Sequence, residues 1–185
     1  MTQNQRSLLL GAGILSLVLV VGAALFAVSG LYNFAADAPH TALVQSIIEV
    51  ARDRSVESRA DGIAVPKLND AGLIADGASH YDAMCTGCHL APGLKENEMR
   101  PGMNPKPPIL ADFPADDPAE QFWIVKHGLK MTGMPAWGTT HTDAEIWEIV
   151  AFLQKIHSLS PEKYHALIKA APHPEDEMGD MDMGH

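Results

Sequence analysis

Two thiols and an imidazole stand together in the run Cys85-Thr86-Gly87-Cys88-His89. Thiols one helical turn apart, with a histidine directly after the second, suit one chemistry above others. The sulfurs add to the two vinyl groups of a haem, and the histidine ligates its iron. Two rival readings share the residues. A thioredoxin-like redox pair sits at a strand-to-helix junction, and no alternation of strand and helix patterns is visible here. A zinc cage needs more ligands, and the chain has only these two cysteines. The expectation is one covalent haem per chain.

The motif needs a helix to carry it and a second helix to brace that one. Asn69 or Asp70 can cap a helix that runs into Cys85. On it Gly77, Tyr81 and Cys85 recur every four residues and share a face. A glycine inside a helix costs about 1 kcal/mol relative to alanine, and a close helix crossing is the usual compensation. The expected partner is a helix over residues 143–157, opened by a capping box of Thr142 and Glu145. Ile146, Ile149, Val150, Leu153 and Ile156 give it a buried stripe, flanked by Trp147.

Between these helices, residues 101–108 are too proline-dense for strand or helix. Asp117-Pro118-Ala119-Glu120 then reads as a cap, a first-turn proline and a capping-box glutamate. That helix should end at Gly128, with Lys126 and His127 at the negative end of its dipole. Next comes a rigid apolar loop, Met131-Thr132-Gly133-Met134-Pro135-Ala136-Trp137-Gly138. A last short helix starts at Ser160-Pro161 and runs to about residue 170.

At the other end, residues 8–28 carry no charge and one hydroxyl, Ser16. At 1.5 Å per residue they can cross a hydrocarbon core of about 30 Å. A cleaved signal usually has a shorter apolar region. Ala36-Asp37-Ala38 has the form of a cleavage site, but Pro39 disfavours it. A retained anchor is expected, with Tyr32 and Phe34 as interfacial aromatics. Haem attachment of this kind takes place outside the bacterial cytoplasmic membrane, which puts the N-terminus in the cytoplasm and the rest in the periplasm. Residues 41–60 form an amphipathic helix, with Leu43, Ile47 and Val50 on one face and Val44, Ile48 and Ala51 beside them. Such a helix can lie on the membrane surface, on the haem domain, or against a membrane partner. Gly62 and Pro66 mark a linker after it. The expected layout is a stub and anchor over 1–34, helix and linker over 35–67, a haem domain over 68–160, and a short helix and tail over 161–185.

A chain of 185 residues allows one domain with appendages, and its net charge of -10 makes nucleic acid an unsuitable partner. Half of that charge comes from Glu175, Asp176, Glu177, Asp180 and Asp182 in the tail. His173, Met178, Met181, Met183 and His185 are interleaved with them. Thioethers and imidazoles are donors that suit copper, while the plainer reading is a solvated acidic tail.

Over residues 68–159 the chain resembles the class I mono-haem cytochromes c. The resemblance rests on Gly77, Tyr81, Cys85, Cys88, His89, Met134-Pro135 and the Ile146-Trp147 helix. It implies an all-α fold of haem-enclosing helices, here preceded by one transmembrane helix and the amphipathic helix. It implies that Met134, followed by its proline, is the sixth iron ligand; Met131 lacks that proline, and Met99 and Met103 lie in the earlier loop. His127, seven residues before Met134, is the runner-up ligand. The resemblance also implies a Pro-x-Leu whose proline carbonyl accepts the proton of the ligating histidine. Pro108-Ile109-Leu110 fits that pattern, with Pro107 left open. Tyr81, Leu110 and Trp137 are drawn to the cofactor by the same likeness. The function implied is a membrane-tethered periplasmic electron carrier between a quinol-oxidising complex and a terminal oxidase, and not an enzyme. The alternatives are a cytochrome subunit of a dehydrogenase, or a haem sensor or catalyst whose methionine leaves the iron.

Overall fold

The computed structural model describes residues 2–170, and these are all-helical apart from turns and loops. The methionine- and histidine-bearing tail, and with it the copper expectation, lies outside the described residues. The chain divides into two compact units, residues 1–38 and the part from Pro39 onward.

The first unit is built on α1, Gln3–Val28, opened by a capping box between Thr2 and Gln5. None of its 26 residues is buried, and the mean hydropathy of its most apolar window is 2.6. At 1.5 Å per residue its length is about 39 Å, enough to cross a membrane. Tyr32 and Phe34 meet edge to face, with ring centres 5.0 Å apart.

The second unit is organised by the crossing of α3, Ala71–Met84, with α6, Asp143–Ile156. Asp70, not Asn69, caps α3, its Oδ1 accepting from the N–H groups of Gly72 and Leu73 at 3.0 Å. A Cβ on Gly77 would fall on the Glu148 carbonyl and stand 3.0 Å from the Ile149 nitrogen. The glycine therefore lets two backbones touch, as its cost in a helix demanded. Around that contact Ala78, Tyr81, Ile146, Ile149, Val150 and Phe152 are at most 1% exposed. Each large apolar side chain so buried stabilises by about 1.5–3 kcal/mol. Thr142 and Glu145 form the expected capping box at the start of α6.

Further helices close this core. Helix α7, Pro161–Ala170, brings Tyr164 onto Phe152, and the Tyr164 hydroxyl donates to Asp82 Oδ1 at 2.6 Å. That contact covers Phe152, which is buried beyond the expected stripe of α6. Helix α5, Pro118–His127, stacks Phe122 on Trp147 of α6 at 4.1 Å between ring centres. Asp117 caps α5 through the N–H groups of Ala119 and Glu120. Glu120 does not reach back as a capping-box partner; it lies instead at the rim of the cavity described below. The amphipathic segment is α2, Ala42–Ala60, and it packs on α5 with Val56 and Ala60 buried. Although the sequence marks it as a separate segment, α2 belongs to the same compact unit as α3, α5, α6 and α7. The proline-rich stretch is not wholly irregular, since Arg100–Gly102 makes one 3-10 turn.

Candidate functional site

Cys85 ends α3 and starts α4, Thr86–His89, so the motif forms a short helix of its own. The N–H groups of Cys88 and His89 both donate to the Cys85 carbonyl, at 3.1 and 2.8 Å. A four-residue helix leaves its later carbonyls without partners of its own. Side chains from elsewhere take that place. Asn97 Nδ2 donates to Gly87 O at 2.8 Å, Arg100 Nη1 to Cys88 O at 2.6 Å, and the Tyr81 hydroxyl to Leu90 O at 2.7 Å. Leu90 is buried and stands at φ +65°, a left-handed region that a leucine enters only under constraint. The Tyr81 bond supplies that constraint. Arg100 is only 3% exposed, and its charge is answered by Glu96, which also pairs with Lys106.

The imidazole of His89 is aimed by a single bond. Its Nδ1 lies 2.9 Å from the Pro108 carbonyl, which can only accept, so Nδ1 carries the proton and Nε2 keeps its lone pair. The acceptor is Pro108 rather than Pro107. Burial holds the imidazole below its usual pKa, against the opposing pull of the Pro108 bond, and Arg100 adds to the lowering. A neutral imidazole with a free Nε2 is a metal ligand in waiting.

Met134 is held by a ring of hydrogen bonds inside its own loop. The Thr132 hydroxyl donates to Leu129 O at 2.7 Å and accepts from the Met134 N–H at 3.0 Å. The Leu129 N–H closes the ring on Met134 O at 3.2 Å. Gly128, at φ +64°, leaves room for this return, because a Cβ there would stand 2.7 Å from Met134 O. Gly138 lets the far end of the loop settle on Lys126 of α5, and Lys126 pairs with Asp143 of α6 at 2.6 Å.

Both arms meet at one cavity of about 740 Å³, within the range of about 300–1,000 Å³ that cofactor sites occupy. Cys85, Cys88, His89, Pro108, Leu110, Met134 and Trp137 all line it. Much of the remaining wall is apolar, from Met84, Ile124, Val125, Leu129 and Leu153. The donor set and the wall fit a covalently held haem: two thiols, one free imidazole nitrogen and a thioether stand on one largely apolar cavity. Burial, with Cys88 nearby, pushes the Cys85 thiol up to about 12. The helix that enters the motif follows no strand, so the strand-to-helix junction of a redox Cys-x-x-Cys is missing among the described residues. Among the described residues no group of three or more His, Cys, Asp or Glu side chains could hold a metal ion by itself.

Other candidates fall in different places. Tyr81 does not line the cavity; it is fully buried against Phe152 and acts through Leu90. Met131 is 70% exposed and His127 lies exposed beside Trp123, so neither reaches the cavity. Met99 sits outside it too, its sulfur 3.9 Å from Cys88 Sγ. Met103 does line the cavity, and a Cβ on Gly133 would stand 2.5 Å from its methyl. The sequence reading passed over Asn97, Arg100 and Thr132, whose partners are backbone carbonyls or a loop turn. It also passed over Arg52, Asp53, Val56 and Glu57 of α2, which complete the lining.

Residues 72–153 match the protein family described as cytochrome C oxidase, cbb3-type, subunit III. The matched span takes in α3 from its second residue, the Cys-x-x-Cys-His helix, the methionine loop and most of α6. No curated protein and no solved structure matches the chain.

Proposed function

Because residues 72–153 are a cytochrome c domain of the mono-haem class I kind, we propose that the chain is a membrane-tethered carrier of single electrons in the bacterial periplasm. Haem c, bound through Cys85 and Cys88, supplies a one-electron iron couple. The chain's own residues do the rest. His89 offers Nε2, oriented by Pro108, and Met134 offers a soft thioether from a pinned loop. Leu110, Trp137, Val125 and Leu153 exclude water from the space between them.

The observation that carries this reading is that His89 and Met134, far apart in sequence, face one largely apolar cavity with both cysteines. With a ligand from each, no position is left for substrate, which favours a carrier over a catalyst or sensor. Helix α1 serves as the tether, retained in the cytoplasmic membrane, and holds the carrier at high effective concentration beside its partners. The matched family's description names an oxidase, which supports a terminal oxidase as acceptor, with a quinol-oxidising complex as donor.

Carbon monoxide added to the reduced protein at neutral pH tests the ligation. A carrier with firmly held Met134 leaves the spectrum unchanged, whereas ready binding would point to a sensor. Purification from the native membrane in mild detergent identifies the partners; recovery with a dehydrogenase alone would replace the oxidase reading.

A further inference from the structure

Helix α2 has two apolar faces, and the fold uses one. Val44, Ile48, Val56 and Ala60 are buried or half-buried on the side toward the domain. Leu43, Ile47 and Val50 project from the opposite side, 71, 60 and 62% exposed. At 100° per residue these three fall within about 60° of one another and roughly half a turn from Val56. Three large aliphatic side chains aligned in water are costly unless something covers them.

We propose that this stripe rests in the lipid–water interface of the membrane that α1 spans. The proposal depends on the reading of α1 as a retained span. Residues 29–41 alone separate the two helices, and fully extended they reach at most about 45 Å. The stripe is thus confined near the bilayer. The same segment exposes Leu31 and Phe34, two further large apolar side chains next to the span. Arg54 continues the stripe one turn on, with a largely exposed guanidinium that pairs with Glu57 and can reach headgroup phosphates. An amphipathic helix of this kind sinks its apolar face about 5–10 Å into the headgroup region. A second copy is a poorer occupant. The stripe covers about two helical turns, whereas a coiled-coil seam needs three or four heptads and a stable interface about 800 Å² per partner.

With both native thiols bound to haem, a new cysteine is the one reactive thiol. Leu43→Cys, Ile47→Cys and Val50→Cys, each spin-labelled in the full-length reduced protein, are reconstituted into phosphatidylcholine–phosphatidylglycerol vesicles. Exposed Lys163→Cys serves as the aqueous reference. Flotation with the vesicles reports the anchor, the haem spectrum reports the fold, and collision with oxygen or a water-soluble nickel chelate reports depth. The expected result is flotation of all four, with labels at 43, 47 and 50 several-fold more accessible to oxygen relative to nickel than the label at 163. Flotation with nickel access equal to that at 163 would overturn the interfacial stripe and leave the anchor standing. Dipolar broadening at 47 would overturn it in favour of a second copy. Failure to float would remove the anchor and the stripe together.

Discussion

Replacing Gly128 with alanine should release the methionine arm of the site without unfolding the protein. Gly128 stands at φ +64°, ψ −173°, a region that is essentially restricted to glycine. Holding another residue there costs about 1–3 kcal/mol. The added Cβ would also stand 2.7 Å from Met134 O, 2.7 Å from the Pro135 carbonyl carbon and 2.8 Å from its oxygen. These are backbone atoms that cannot rotate away, and overpacking of this kind costs about 1–3 kcal/mol more. The loop relieves both by lifting off the end of α5, which takes Met134 with it. If about 3 kcal/mol is shifted onto the closed loop, the ratio of open to closed forms rises by roughly two orders of magnitude. On the proposed ligation, imidazole competes with Met134 for ferric iron, and its apparent affinity scales with the open fraction. Imidazole titration of the ferric Gly128→Ala protein should therefore give an affinity about a hundredfold higher than the parent's. The near-infrared sulfur-to-iron band should weaken in parallel. Thr132→Val, which breaks the hydrogen-bond ring at a cost of about 0.5–1.5 kcal/mol, should raise the affinity only about three- to tenfold. An unchanged imidazole affinity in Gly128→Ala, with the band intact, would refute the account of how Met134 is held.

Three other outcomes are expected. Met134→Ala should abolish the sulfur-to-iron band, while exposed Met131→Ala should leave it; survival of the band in the first would move the ligand to Met103, the other loop thioether at the cavity. Tyr81→Phe strands the buried Leu90 carbonyl and should lower stability by about 1–3 kcal/mol, read as a lower guanidinium midpoint with unchanged slope. Glu120 is held above the usual carboxylate range by burial, with Asp117, Glu57, Asp116 and Asp53 adding to it. Its native form binds the proton more tightly than the unfolded chain, so stability is lost as the group ionises with rising pH. Glu120→Gln should raise the denaturation midpoint at pH 7 and lose that advantage as pH falls below about 4.

The features legible in the sequence were those whose cause lies within a few residues. Thr142 with Glu145, the Asp117-Pro118 start and the Cys85-to-His89 spacing each report a local geometry, and each folds as its local chemistry requires. Gly77 was readable for a different reason: a glycine in a helix interior is costly enough to announce a close neighbour. What escaped notice depends on partners distant in sequence. Nothing local to Arg100 says that it will be buried against the carbonyl of Cys88. Tyr81 shares a helix face with Cys85, but that face is shared between the core and the cavity, and Tyr81 falls on the core side. In α2 both faces are apolar enough to be buried. Val44 and Ile48 are half-buried while Leu43 and Ile47 stay exposed, a tertiary decision that periodicity does not encode.

Helix α2 lies outside the span matched by the cytochrome family, yet Arg52, Asp53, Val56 and Glu57 form one wall of the cavity. A chain beginning at Leu68 would keep every matched residue and open that side to solvent. For an electron carrier this matters through reorganisation energy. Each water dipole that touches the porphyrin edge must reorient when the iron changes charge, and that reorientation slows transfer. On the proposed function, α2 would limit how much solvent responds to each electron and the directions from which a partner can approach closely enough for tunnelling. On that reading α2 is part of the redox centre's insulation, and its loss should slow electron exchange even with His89 and Met134 in place.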